Sequence, residues 1–142
     1  MLAHPAARLL GAATLPPRAL LRLCATGAAL RRRGFPRVVA QARAEAGRGR
    51  RPTADDVARA RRYAGWLHAL GSGRPLRAQC LHRALALHFW LRDEGVASEL
   101  RIGVQKQARA LRAHAWVEVA GQVVDDRPGA VAAFHPLHGG VR

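Results

Sequence analysis

Cysteine and lysine are scarce in this chain of 142 residues, and long apolar runs are missing. The two cysteines, Cys24 and Cys80, are too few for a disulfide framework in a domain of this size. We therefore expect free thiols and a reducing, cytoplasmic setting. No apolar run approaches the ~20 residues that a membrane-spanning helix needs. The sequence thus predicts a protein without a membrane partner.

Motifs for binding cofactors, metals or nucleic acids are also missing. There is no phosphate-binding glycine loop and no serine-centred nucleophile motif. His82 and His88 lie on different faces of a predicted helix, and His135 and His138 have no third metal ligand nearby. Aromatic residues make up 5% of the chain and do not interleave with the arginine runs, so base stacking is unsupported. We expect no cofactor, no metal and no nucleic-acid partner.

Basic residues, in contrast, are abundant. The chain has 24 Lys and Arg against 9 Asp and Glu, a net charge of +15, and only Lys106 is a lysine. Such a charge attracts acidic partners, so one hypothesis is a non-catalytic basic adaptor that binds an acidic peptide or nucleic acid. No acidic residue precedes Glu45, which is also the composition of a mitochondrial transit peptide. The alternative is a basic helical segment of the mature fold.

Helical signals dominate the first half of the chain. Helices are predicted over about residues 18–32 and over residues 36–46, followed by an exposed linker over residues 47–52. A further helix begins at Thr53, because Thr53 and Asp56 have the spacing of a capping box.

The helix that begins at Cys80 is apolar around much of its circumference and ends near Gly95. A helix of this kind is usually buried in the middle of a fold. After it, apolar and polar residues alternate over residues 100–104, which predicts a half-buried strand.

The rest of the chain predicts a small hairpin between two irregular regions. Residues 105–113 are polar and basic and are predicted to form a loop. Residues 114–119 and 122–125 are predicted strands around a two-residue turn at Ala120-Gly121. Beyond residue 128 we expect a ragged tail.

These elements predict an α+β fold, with N-terminal helices and the Cys80 helix packed on a small antiparallel sheet. We expect residues 1–52 to form a basic helical N-terminal segment and residues 53–142 to form the core, within one compact domain overall.

Three kinds of side chain in this order suggest thiol chemistry. Cys80 lies in the first turn of a helix, where unpaired N–H groups favour an anion. His114 begins a strand, and the acidic pair Asp125 and Asp126 follows on the partner strand. A thiolate can attack, an imidazole can accept and return a proton, and a carboxylate can orient the imidazole.

The turn between the two strands decides which aspartate orients the histidine. With a two-residue turn, Val119 faces Gln122 and Trp116 faces Asp125, so Asp125 lies on the same side of the sheet as His114. A longer turn or a bulge moves Asp126 to that side instead. The residues alone leave both aspartates open.

Several segments resemble one known family. Residues 80–87 (CLHRALAL), residues 91–95 (LRDEG) leading to residues 100–104 (LRIGV), and residues 114–121 (HAWVEVAG) are similar to the lasso-peptide processing proteases. These proteases belong to the transglutaminase-like, papain-like superfamily, and the similarity is strong over about residues 76–127.

The resemblance implies a cysteine peptidase that removes the leader from a ribosomally made precursor peptide before macrolactam closure. It implies Cys80 as the nucleophile and His114 as the general base and acid. It also implies Asp126 as the orienting acid. Asp125 is kept as the alternative, because a two-residue hairpin turn places Asp125 on the same side of the sheet as His114.

The resemblance further implies three partners. These are the precursor peptide with its leader, a separate small leader-recognition protein, and an asparagine-synthetase-like macrolactam synthetase. In papain-like enzymes a glutamine a few residues before the cysteine helps to bind the oxyanion. Arg74 occupies that region here and Gln79 adjoins the cysteine, so the donor stays open apart from the backbone N–H of Cys80.

Overall fold

The computed structural model describes residues 16–71 and 79–137. Within these residues, helices come first and an antiparallel sheet of order β3-β2-β1-β4 follows, which confirms the predicted α+β class. The elements are α1 (Pro17–Arg33), α2 (Phe35–Ala44), α3 (Ala54–Gly71), α4 (Cys80–Asp93), β1 (Glu99–Gln107), β2 (Ala110–Val119), β3 (Gln122–Val123), α5 (Pro128–Val131) and β4 (His135–Pro136).

The first two helices lie close to their predicted positions. Helix α1 begins at Pro17, whose fixed φ suits a first helical position and whose missing N–H is not needed there. It ends before Gly34, which has a φ of +82° and donates its N–H to the carbonyl of Leu30. Helix α1 packs against α3 and α4, so the basic N-terminal part contacts the rest of the fold. The predicted boundary at residue 52 stays a prediction.

The segment over residues 47–52 is not a flexible linker, because its backbone forms hydrogen bonds with another part of the chain. Its side chains are mostly exposed, as predicted, but its backbone is paired. The Arg50 N–H donates to the Gly95 carbonyl at 2.8 Å, and the Ala97 N–H donates to the Arg50 carbonyl at 3.2 Å. The segment is therefore attached to the chain that leaves α4.

The predicted capping box is confirmed at the start of α3. The Thr53 N–H donates to Asp56 Oδ2 at 2.8 Å, and the Asp56 N–H donates to Thr53 Oγ1 at 3.3 Å. Asp56 is almost fully buried, and its carboxylate also binds the guanidinium groups of Arg50 and Arg59. The hydrogen bonds from Arg50 and from the Thr53 backbone hold the pKa of Asp56 well below its usual range.

Helix α4 lies in the centre of the molecule, as its apolar circumference predicts. It contacts helices on one side and strands β1 and β2 on the other. Trp90 stacks on Tyr63 of α3 with 4.0 Å between ring centroids. The buried residues of α4 are Ala84, Leu85, Ala86, Leu87, His88, Trp90 and Leu91.

The prediction of a loop over residues 105–113 is wrong. Strands β1 and β2 continue through this region as a paired hairpin, from Glu99↔Glu118 to Gln107↔Ala110. The side chains at the far end of the hairpin are exposed on both faces, so no apolar alternation marks them. The backbone ladder supplies the pairing there.

The short turn between β2 and β3 is confirmed. Ala120 and Gly121 both have positive φ, +52° and +73°, as a tight two-residue hairpin turn requires, and Val119 pairs with Gln122. The ragged tail predicted beyond residue 128 is wrong for residues 128–136. This segment forms α5 and then β4, which pairs with the outer edge of β1. No helix among the described residues is long and apolar enough to cross a bilayer.

Replacing Asp56 with Asn tests the anchor at the start of α3. We expect D56N to lower the free energy of unfolding at pH 7 by about 2 kcal/mol, because two guanidinium groups lose their shared carboxylate. Since folding lowers the pKa of Asp56, its contribution is present above about pH 4 and is lost as the pH falls further. The D56N penalty, measured by denaturant unfolding, should therefore shrink in acid.

The matched control is D55N, which removes the neighbouring, exposed carboxylate of the same turn. Equal penalties for D55N and D56N at pH 7 would contradict this assignment.

Candidate active site

Cys80 is the first residue of α4. Gln79 before it is extended, with φ −70° and ψ 165°, and the helix begins directly afterwards. The first-turn N–H groups of a helix have no partner within the helix and carry the positive end of its dipole. The Cys80 thiol lies at this end of the helix, and it is free and only partly buried, so solvent has access to it.

The first turn of α4 is attached to α1. The His82 Nε2–H donates to the Leu23 carbonyl at 2.7 Å. A Cβ at Gly27 would lie 3.1 Å from His82 Cε1, so the absence of a side chain there lets the imidazole approach. The N-terminal helix thus fixes the turn that carries the thiol.

Cys80 opens onto a cleft of about 100 Å³ between α3, α4 and the sheet. The cleft brings together the predicted cysteine, histidine and both candidate aspartates from three separate parts of the chain. Its lining residues are Ala64, Leu67, His68, Cys80, Arg83, Leu87, His114, Ala115, Asp125 and Asp126.

His114 is bound to Asp126. The distance from His114 Nε2 to Asp126 Oδ2 is 2.6 Å, and both side chains are partly buried. The other carboxylate oxygen of Asp126 accepts the Arg127 N–H at 2.7 Å, which fixes the carboxylate plane. Because Nε2 is used by Asp126, Nδ1 is the ring nitrogen left for a proton exchange within the cleft.

Asp125 contacts the main chain and not the imidazole. Its Oδ1 accepts the Val117 N–H at 2.8 Å, while the Val117 carbonyl accepts the Val124 N–H at 3.1 Å. The Asp125 side chain therefore takes the place of the next backbone partner in the ladder. Regular backbone pairing ends there, so the alternation of side chains along the hairpin no longer determines which carboxylate binds His114.

The surroundings of Asp125 favour its protonated form. Burial, opposed by the hydrogen bond from Val117 and reinforced by the charge of Asp126, raises the pKa of Asp125 to about 7. The nearby charge of Arg83 acts in the opposite direction. Two neighbouring aspartates thus have different environments, one against the backbone and one against an imidazole.

Two polar residues of the cleft, Arg83 and His68, were not predicted as site residues from the sequence. Arg83 lies three residues after Cys80 and so on the same helical face, a spacing that could have identified it. His68 comes from α3, and nothing in the local pattern connects it to the cleft. Gln79 is exposed beside Cys80, and Arg74 lies outside the described residues. Among the residues described, no three His, Cys, Asp or Glu side chains are placed to bind a metal.

The fold and the cleft together define an α+β protein that brings a cysteine, a histidine and two aspartates to one cleft. A family model described as the transglutaminase-like superfamily matches residues 21–139. This match covers most of the chain, so the protein belongs to the transglutaminase-like superfamily, whose members are often cysteine proteases. Searches of curated proteins and of solved structures gave no significant match.

Replacing Asp125 with Asn tests the protonation of this carboxyl. Folding raises its pKa from 3.8 to about 7, so its contribution to stability is complete below pH 4 and is lost as the pH rises towards 7. Asn stays neutral and can still accept the Val117 N–H. Between pH 5 and pH 8, wild type should lose about 2 kcal/mol more free energy of unfolding than D125N. Parallel curves in denaturant unfolding would contradict the assignment.

Proposed function

We propose that this protein is a cysteine peptidase that removes the leader from a lasso precursor peptide before macrolactam closure. Membership of the transglutaminase-like superfamily supports cysteine protease chemistry. The substrate class rests on the resemblance of residues 80–87 and 114–121 to the lasso-peptide processing proteases. The observation that carries the proposal is the His114–Asp126 hydrogen bond in the cleft that Cys80 also lines.

Each of the three residues has a role that follows from its position. Asp126 accepts the Nε2–H of His114 and so orients the ring, with Nδ1 free. His114 takes the thiol proton of Cys80 through Nδ1, and the resulting imidazolium is stabilised by the Asp126 carboxylate. Cys80, as the first residue of α4, presents its sulfur at the N-terminal end of the helix.

The reaction then proceeds through a thioester. The Cys80 sulfur attacks the carbonyl carbon at the end of the leader, and the backbone N–H of Cys80 donates to the oxyanion that forms. The C–N bond breaks as the His114 imidazolium gives its proton to the leaving amine. Water, deprotonated by His114, hydrolyses the thioester and restores the thiol, while the freed amine remains on the core peptide.

The proposal includes partners that deliver the substrate and use the product. A separate small leader-recognition protein would present the leader, and an asparagine-synthetase-like synthetase would join the freed amine to a side-chain carboxyl. The reaction would take place in the cytoplasm, where a free thiol stays reduced.

Incubation with the precursor peptide and the leader-recognition protein tests the activity, with leader release followed by mass spectrometry. We expect C80A to abolish release and H114A to reduce its rate by at least about 100-fold. The matched control is C24A, because Cys24 is the other free thiol and lies on the exposed face of α1, outside the cleft lining.

Undiminished release by C80A would overturn the proposal. It would leave the basic adaptor as the better hypothesis, and that hypothesis predicts binding that weakens steeply with salt and does not depend on Cys80.

A further inference from the structure

We infer that Phe134 is a positioning residue, whose ring holds the His114 imidazole in the orientation that the proposed cysteine peptidase requires. This inference rests on the proposed function and adds a residue that lies outside the cleft lining. Phe134 lies in the segment after α5, which was predicted from the sequence to be an irregular tail.

Two aromatic rings pack around the imidazole of His114. The Phe134 ring lies 5.2 Å from it and the Trp116 ring 6.0 Å, measured between centroids. Phe134 and Trp116 also contact each other, at 6.5 Å, and both are buried. The hydrogen bond to Asp126 holds one ring atom, Nε2, but a single hydrogen bond still permits the imidazole to rock about its Cβ–Cγ bond. Flat rings packed beside it restrict this motion.

The backbone around Phe134 holds its ring in place. The Phe134 N–H donates to the Val131 carbonyl at 3.0 Å, and β4 follows at once, with His135 opposite Val104 of β1. The Leu137 N–H then donates to the Ile102 carbonyl at 2.8 Å. Residues 126–137 therefore supply both Asp126 and Phe134, and each of these side chains contacts the His114 ring.

Gly103 makes room for this cluster. It is the partner of His114 in the β1–β2 ladder. A Cβ at Gly103 would lie 2.8 Å from Trp116 Cη2 and 2.9 Å from Phe134 Cβ, and real Cβ atoms essentially never approach other atoms so closely. A side chain at this position would thus displace the two aromatic rings, while the amino-acid identity of every cleft-lining residue stays the same.

Alkylation by iodoacetamide measures the consequence at Cys80 without a peptide substrate. Cys24 in the same molecule serves as an internal reference, because it is a free, exposed thiol. Peptide mass spectrometry gives the rate at each cysteine. At pH 9 the rate depends mainly on access, since ordinary thiols are then largely ionised, whereas at pH 6 it depends on the fraction of the thiol that is ionised, which proton transfer to an oriented imidazole would raise.

We expect wild-type Cys80 to react faster than Cys24 at pH 6. F134A should lower the Cys80 rate at pH 6 by about 5-fold or more, with a much smaller change at pH 9 and none at Cys24. G103A should act in the same direction. The controls are F35A, which removes an exposed phenylalanine of α2, and G65A, which adds a Cβ that would meet nothing within 4 Å apart from its chain neighbours and the backbone of its own helix.

The outcomes separate this inference from the function on which it rests. If wild-type Cys80 reacts no faster than Cys24 at pH 6, the proposed peptidase fails, and the inference fails with it. If wild type is reactive but F134A and G103A keep its pH 6 to pH 9 ratio, even with a lower Tm, Phe134 is only a packing residue and the inference alone is overturned. If F134A does not fold, F134L carries the test, with a reduced ratio expected and an unchanged ratio overturning the inference.

Discussion

The burial of α4 between the helices and the sheet determines where the Cys80 thiol lies. Its apolar residues contact helices on one side and strands on the other, and each large side chain buried in this way contributes about 1.5–3 kcal/mol. A helix enclosed on both sides cannot shift without exposing apolar surface. Its first residue, Cys80, is therefore held at the edge of the core, where the thiol reaches the cleft. The bond from His82 to the Leu23 carbonyl adds a polar anchor at the same turn.

The two aspartates of the cleft have different partners and different roles. Asp125 binds the Val117 N–H and so ends the β2–β3 ladder, which diverts the chain and brings Asp126 to His114. The burial that raises the pKa of Asp125 keeps a second negative charge away from Asp126 over part of the neutral range. A structural carboxyl thus positions its neighbour, and the aromatic cluster of Trp116 and Phe134 packs against the imidazole that this neighbour orients.

Local signals in the sequence predicted most of the elements but not all of their contacts. The capping box at Thr53, the buried circumference of α4 and the turn at Ala120-Gly121 depend on neighbours in sequence, and all three are confirmed. The hairpin over residues 105–113 escaped detection because its exposed faces carry no apolar alternation. The alternation of side chains along the hairpin favoured Asp125 over Asp126. The sequence spacing does not reveal that the Asp125 side chain replaces a backbone acceptor and so ends the alternation. Phe134 reaches His114 through pairing of β4 with β1, a contact between distant segments.

Asp126 holds the His114 imidazole through Nε2, and long-range ¹H–¹⁵N NMR of the histidine side chains measures this hydrogen bond. We predict a protonated Nε2 on His114 whose N–H proton is shifted downfield and protected from exchange. This protection should be lost in D126N and retained in D125N. A neutral His114 protonated at Nδ1 alone, or an Nε2–H signal unaffected by D126N, would show that Asp126 does not orient the imidazole.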